Sequence, residues 1–427
     1  MKKSSAYLQW SLVQLFFVIS VIFSVMFGIY SPNITSSLNV NPAQFGWLAG
    51  VFFIFYAAVQ FYSGKLFVNV SPKLILVSSA LISATGSLLL ALTSSLTLLF
   101  IARILLGIGL ASTYVGVLYI IQRNFTASEF SVMSSLSQCL ANLAGTTFAF
   151  CGGMILSTLS YKIFFSILAC VFVACALLIL MVIKDTDPAD LQNSVNSSLF
   201  SDLKIILKNT QVWWATLFFT GMFGAILSFA NLFATSFQVA SFDLTISAAV
   251  SITSMILLGV TIGSIISGVM ANRLKNYART AQIFALISTL AFCAVLYARL
   301  DFLPQHLAAM IVYFIFGFGL GGCVMAFQSI QENVIEENLR PLATSFVLTV
   351  AYVFVGFIEQ PLIGQLLNVI KTQSLMKGSN YTVLLHQQLL INLTVHDQFY
   401  KYALGLSLVL VTLILSFIAS LFLKRGK

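Results

Sequence analysis

Few polar groups interrupt the long apolar stretches of this 427-residue chain, and those few define the chemistry open to it. Arg103 is the one basic residue inside such a stretch, and Glu359 is the one acid well inside another. An ionised group near a bilayer centre costs about 2.5–3.5 kcal/mol on insertion scales, so it normally faces a wet cavity or a partner. A guanidinium can hold a carboxylate or phosphate through two parallel hydrogen bonds. A carboxyl withdrawn from water suits the carriage of a proton. Each residue also has a plainer reading. Arg103 could be tied to backbone carbonyls beside Gly107, and Glu359 could be a hydrogen-bonded acid filling an interface. Both count to the outer half of their segments, which leaves a direct ion pair open. Ser345, Tyr352 and Glu359 lie seven apart, which an α-helix would set along one stripe.

The elements that position these groups follow from composition. Apolar residues make up 59% of the chain and charged ones 8%. A spanning helix needs about 20 apolar residues, so twelve need roughly 240, close to what the chain holds. That excludes ordinary cytosolic enzymes and nucleic-acid binders, which need a charged surface. The six cysteines, Cys139, Cys151, Cys170, Cys175, Cys293 and Cys323, read as small buried hydrophobes without ligand spacing. His306, His386 and His396 form no metal motif, and no cofactor is expected.

The first apolar run, about 8–30, is too long for a signal core and reads as a spanning helix. Further segments fall near 44–63, 74–94, 97–119, 132–154, 163–183, 211–233, 245–270, 281–299, 306–328, 342–367 and 402–423. They are continuously apolar rather than alternating, which argues against barrel strands. The formal charge of +9 follows a positive-inside pattern and does not call for a nucleic-acid partner. With a cytoplasmic N-terminus, most of the basic residues fall inside, among them Lys65, Lys73, Arg123, Lys204, Arg273, Lys275 and Arg340. Both termini are then cytoplasmic. The polar stretch 184–210 divides the chain into an N-terminal six-helix bundle (1–183) and a C-terminal one (211–427), with a cytoplasmic linker between them. A second polar stretch, 368–401, lies outside and suggests an interfacial helix.

The two halves repeat. Arg103-Ile-Leu-Leu-Gly107-Ile-Gly109-Leu-Ala aligns with Tyr313-Phe-Ile-Phe-Gly317-Phe-Gly319-Leu-Gly at an offset of 210. Gly64-Lys-Leu-Phe-Val68-Asn69 aligns with Gly268-Val-Met-Ala-Asn272-Arg273 at an offset of 204. Six segments separate the copies, so they share one orientation in the membrane. Two parallel six-helix halves form a transporter architecture with a solute site between them near the midplane.

These features resemble the major facilitator superfamily over essentially the full chain. The loop Gly64-Lys-Leu-Phe-Val-Asn-Val-Ser-Pro-Lys73 sits where that family has Gly-x-x-x-Asp-x-x-Gly-x-Arg-Lys, with Val68 at the Asp and Ser71 at the second Gly. The resemblance makes Gly64, Lys73, Gly268 and Arg273 an inner gate, here without its usual acid. Arg103-x-x-x-Gly107 matches the family's fourth-helix motif. Gly145 through Gly152-Gly153, followed by Tyr161-Lys-Ile-Phe-Phe165, resembles its glycine-rich fifth helix, without the usual proline. Gln360-Pro361-Leu-Ile-Gly364 and the run Asn41-Pro-Ala-Gln-Phe-Gly46 are similar to bacterial uptake-type facilitators related to the anion and nutrient branches.

The resemblance implies an all-α polytopic membrane protein with twelve helices in two parallel pseudo-repeats. It places helices 1, 4, 7 and 10 around the cavity, which makes Ser24, Arg103, Tyr114, Thr220, Asn231, Tyr313 and Gln328 candidates for solute contact. Gly and Ser at such positions also let helices approach closely. The function expected is secondary transport of a small anionic or zwitterionic solute by alternating access. The partners expected are the solute, a coupling proton or other ion, and the lipid bilayer, with the chain monomeric. Without a Gly-x-x-x-x-Gly-Lys-Ser/Thr loop or an ATPase-sized soluble domain, the driving force is a gradient. Glu359 makes proton symport the economical choice, giving uptake across a bacterial inner membrane. The alternative on the same fold is an exporter of drugs, siderophores or other metabolites. A membrane enzyme or sensor would need clustered acids or histidine pairs that this chain lacks.

Overall fold

The computed structural model describes residues 3–125, 127–183, 199–242, 244–297, 305–334, 336, 339–377, 381–384, 390–393 and 398–424. Among the described residues, twelve helices are long and apolar enough to cross a membrane. They are α1 (Ser4–Ile29), α2 (Pro42–Ser63), α3 (Pro72–Leu92), α4 (Leu96–Asn124), α5 (Cys139–Thr158) and α6 (Tyr161–Val182) in the first half. The second half has α7 (Thr210–Phe242), α8 (Ile246–Ala271), α9 (Tyr277–Leu296), α10 (Leu307–Asn333), α11 (Leu342–Asn368) and α12 (Tyr402–Leu421). In hydrocarbon every backbone N–H and C=O must find a partner within the segment, and the helix provides this. Local signals set where helices begin. At α2, Asn41 Oδ1 accepts from the Gln44 backbone at 2.8 Å, Gln44 Oε1 accepts from the Asn41 backbone at 3.0 Å, and Pro42 opens the helix. At α6, Ser160 Oγ accepts from the Ile163 N–H.

The repeat is structural as well as sequential. α4 is helical over Leu96–Leu110 and again over Thr113–Asn124, with a break at 111–112. α10 is helical over Gln305–Leu320, then tightens into a 3₁₀ turn over Gly321–Val324 before resuming at Met325. Both irregularities begin two residues after the second aligned glycine, Gly109 or Gly319, at the same offset of 210. A methyl on Gly107 would strike the Phe52 carbonyl of α2, and one on Gly317 would strike the Ile256 carbonyl of α8. Gly109 abuts Ser79 and Ser83 of α3, and Gly319 abuts Ser288 of α9. The neighbours correspond helix for helix, which makes the halves parallel copies.

An even number of spans puts both chain ends on one face of the bundle, called here the termini face. On the opposite face the halves meet backbone to backbone. Gly46, Gly50 and Gly364 bring α2 against α11, at Gln360, Gly356 and Pro42 respectively. Gly153 brings α5 against Ser247 of α8, and Gly28 brings α1 against the Asn231 carbonyl of α7. Ser31 adds a contact to Ser236 at 3.4 Å. At the termini face the ends of α4 and α10 pack chiefly within their own halves. There, Asn333 Nδ2 donates to the Tyr277 hydroxyl (2.8 Å) and to the Lys424 carbonyl (3.1 Å), while Gln211 Oε1 accepts from the Lys424 N–H at 2.9 Å. The Tyr277 hydroxyl donates to the same carbonyl. The bundle is therefore pinched shut on the far face.

Three sequence expectations change. The stretch 368–401 forms no interfacial helix in its described part. Instead the eleventh helix continues to Lys377, and Tyr381–Leu384 pairs antiparallel with Leu390–Leu393. Aromatic and β-branched residues such as Tyr381, Thr382 and Val383 favour extended backbone, and pairing satisfies it. The stretch read as linker carries a helix over Leu199–Lys208, while 184–198 lies outside the described residues. Only Cys175 and Cys323 are buried; Cys139, Cys151 and Cys170 lie on the outer surface, where lipid is as apolar as a core.

The two kinds of glycine contact predict opposite outcomes. Gly317→Val, inside one half, should lower the thermal unfolding midpoint by the equivalent of about 1–3 kcal/mol of overpacking. Gly28→Val, between halves, should leave the midpoint nearly unchanged. It should lengthen the far-face distance between spin labels on Ser37 and Ser241, measured by double electron–electron resonance.

Candidate functional site

Arg103 lies in the first stretch of α4, 3% exposed. Its Nε donates to the Leu48 carbonyl and its Nη2 to the Ala49 carbonyl of α2, both at 3.1 Å. The guanidinium carbon stands 3.9 Å from the Phe27 ring centroid and 4.4 Å from that of Phe52, so aromatic faces cover the charge. Nη1 has no hydrogen-bond partner among the described residues. The backbone-tied reading of Arg103 is thus correct for two of its nitrogens, though the carbonyls belong to α2 rather than to the turn beside Gly107.

Beside it, at the contact between the halves, is a cavity with about 20 Å³ of free space, lined by Ser24, Asn231 and Gln360 with apolar and aromatic neighbours. A second cavity of similar size lies between α1, α5, α7 and α8, and Asn231 borders both. Asn231 belongs to a π-helical stretch, Ile226–Phe233, in the middle of α7. α11 carries a second one, Val355–Glu359. Such stretches widen the helix by one residue, recur at functional sites, and swing the following side chains by about 100°.

That swing separates Glu359 from Tyr352. Tyr352 stacks on Phe53 and packs against Tyr56 of α2 and Phe223 of α7, whereas Glu359 points further into the second half. Its Oε2 accepts from Ser228 Oγ of α7 at 2.9 Å and its Oε1 from Thr412 Oγ1 of α12 at 3.3 Å. Gly224 leaves the room for it on α7. Arg103 and Glu359 therefore form no ion pair, and the single Ser345–Tyr352–Glu359 stripe does not exist. The next residue, Gln360, reaches back across, its Nε2 donating to the Leu227 carbonyl in the π stretch of α7 at 3.3 Å.

Of the other sequence candidates, the structure gathers Ser24 and Asn231 around Arg103 and leaves the rest elsewhere. Tyr114, beyond the break in α4, packs its ring 5.0 Å from Phe17. Thr220 is buried in α7, away from this cavity. Tyr313, the counterpart of Arg103 in the repeat, is buried and hydrogen-bonded to Gln238 of α7. Gln328 is exposed and bonds Glu332 at 3.2 Å. Gly317 and Gly321, on the stripe linking Tyr313 to Gln328, serve close packing on α8. At the inner-gate positions, Gly268 faces open space, Arg273 is exposed near the end of its helix, and Lys73 follows Pro72 at the start of α3. The surroundings of Gly64 lie outside the described side chains.

Sequence reasoning missed Gln360, Phe27 and Phe52 as wall residues and Ser228 and Thr412 as the partners of Glu359. Gln360 stands in the run Gln360-Pro361-Leu-Ile-Gly364, which signalled a family but no role.

This duplicated bundle with a small polar cavity between its halves defines a membrane transporter fold. The model of the Major Facilitator Superfamily matches residues 13–358, most of the chain, and the chain belongs to that family. No curated protein matches it. Among solved structures it is similar to a bacterial homolog of the human lysosomal transporter Spinster in an inward-facing and unoccupied conformation (TM-score 0.75, 14% identity, all of both chains covered). The nucleoside transporter NupG superposes with a TM-score of 0.72 at 14% identity, covering 99% of this chain and 100% of its own. At such identity the likeness is one of fold.

The Arg103 geometry predicts a separation of stability from function. The Leu48 and Ala49 carbonyls also serve the α2 helix, so Arg103→Met removes a buried charge without leaving an orphaned group. Its thermal midpoint should equal or exceed that of the parent, while solute binding falls at least about tenfold, read by ligand-induced melting shifts.

Proposed function

We propose that this transporter takes up a small anionic or zwitterionic solute across a bacterial inner membrane by alternating access, together with a proton carried by Glu359. The observation that carries the reading is Arg103: a buried guanidinium, faced by no carboxylate among the described residues and bordering a cavity between the halves. Helix carbonyls and aromatic faces hold such a group in place without neutralising it. Its remaining nitrogen can then meet an anion at the point where the halves close.

Glu359 supports the coupling. Its partners Ser228 and Thr412 are hydroxyls, which donate to a carboxylate and can also accept from a carboxylic acid, so both forms can be held in place. The excess of Lys and Arg on the termini face supports cytoplasmic termini. The pinched far face is then the outer one, in keeping with the inward-facing state of the Spinster homolog. Gate positions Gly64, Lys73, Gly268 and Arg273 flank the inner mouth in this reading, and the chain acts as a monomer.

The test is uptake into proteoliposomes from a labelled panel of organic acids and amino acids. Accumulation should require an inward proton gradient and vanish with a protonophore; accumulation indifferent to the protonophore discards proton coupling. Accumulation against the opposite gradient would make the chain an exporter. Glu359→Gln should keep solute exchange at zero gradient and lose accumulation.

A further inference from the structure

Two oxygens on the wall of the Arg103 cavity are buried without a hydrogen-bond donor: Oε1 of Gln360 and Oδ1 of Asn231. Gln360 is 1% exposed, and its amide is fixed because Nε2 faces the Leu227 carbonyl; the flipped amide would set oxygen against oxygen. Asn231 sets its backbone carbonyl against Gly28; its Oδ1 is buried and its side-chain amide has no hydrogen-bond partner among the described residues. Orphaned buried acceptors are rare and unfavourable. Of the protein donors around this cavity, Arg103 Nη1 and the Asn231 amide nitrogen have no partner among the described residues, and the proposed role of Arg103 assigns its nitrogen to the anionic group of the solute. Ser24 Oγ donates to the Ser20 carbonyl at 3.1 Å, and Nε and Nη2 of Arg103 donate to Leu48 and Ala49. Apart from Arg103, Ser24, Asn231 and Gln360, the lining is apolar or aromatic. The donors these two oxygens lack must therefore come from what binds.

We infer that Gln360 and Asn231 form an ammonium subsite, so that the solute is a zwitterion with its anionic group on Arg103 and its amino group on this pair. The inference rests on the proposed role of Arg103. A hydroxyl carries one proton and serves one acceptor, whereas an ammonium carries three and serves both. With the halves closed, the cavity's free space of about 20 Å³ admits one water-sized group, so a zwitterionic head group enters as the halves part around it. The two acceptors come from α7 and α11 and the cation from α4, so a zwitterion at this point bridges the halves.

The experiment uses the purified full chain and ligand-induced melting shifts with matched sets that differ in one group: alanine, lactate and propionate; aspartate and succinate; phenylalanine and 3-phenylpropionate. In the set that binds, the amino member should be favoured over its deaminated partner by roughly tenfold or more, with the hydroxy acid between them. Asn231→Leu and Gln360→Met should shrink that preference to about twofold. Monodisperse elution is checked for each protein, and the parent chain's own preference between matched members is read without any substitution. Equal binding of amino and deaminated members by the parent chain overturns the ammonium subsite and leaves the Arg103 reading intact; the pair then holds only a bridging water. Full binding by Arg103→Gln overturns the Arg103 reading itself, and absence of any shift across the sets overturns both.

Discussion

Close backbone contact at glycine is the constraint on which this bundle depends. In lipid no hydrophobic force drives helices together, so association rests on van der Waals packing and on how near two backbones can come. Gly107, Gly109, Gly317 and Gly319 satisfy that need inside the halves, and Gly28, Gly46, Gly50, Gly356 and Gly364 satisfy it between them. The second set is confined to the far face. The same device that builds each half thus also closes one end of the space between them.

Arg103 is tolerable only within that packing. Gly107 brings α4 close enough to α2 for the guanidinium to reach the Leu48 and Ala49 carbonyls, and the aromatic faces of Phe27 and Phe52 complete its shell. The repeat makes the asymmetry plain. Tyr313 occupies the corresponding place in the second half and accepts from Gln238, a neutral arrangement without a cation. A duplicated scaffold has kept its packing glycines in both copies and its cation in one.

The π stretches of α7 and α11 connect the two remaining polar centres. Ser228 and Leu227 lie in one, Glu359 ends the other, and Gln360 follows it, so adjacent residues bind opposite sides of the same helix pair. Glu359 faces into the second half and Gln360 faces the cavity of Arg103. A change at either centre acts on backbone that also touches the far-face seal, through Asn231 on Gly28 and Gly356 on Gly50.

Composition and continuous apolar runs determined the twelve helices, because lipid leaves the backbone no other way to satisfy itself. Capping residues such as Asn41 and Ser160 marked where helices begin. Spacing alone revealed the repeat, since packing glycines must recur wherever the same helices cross. Arg103 and Glu359 stood out for the same reason, being ionisable groups in apolar sequence. What tertiary structure decided was direction. A stripe counted at 3.6 residues per turn cannot foresee an inserted residue, so the turn that moves Glu359 from the Tyr352 face to Ser228 and Thr412 left no trace in the spacing. Nor could the sequence disclose that Gln360 and Asn231 would be buried without donors, because an unsatisfied group is defined only by everything that packs around it.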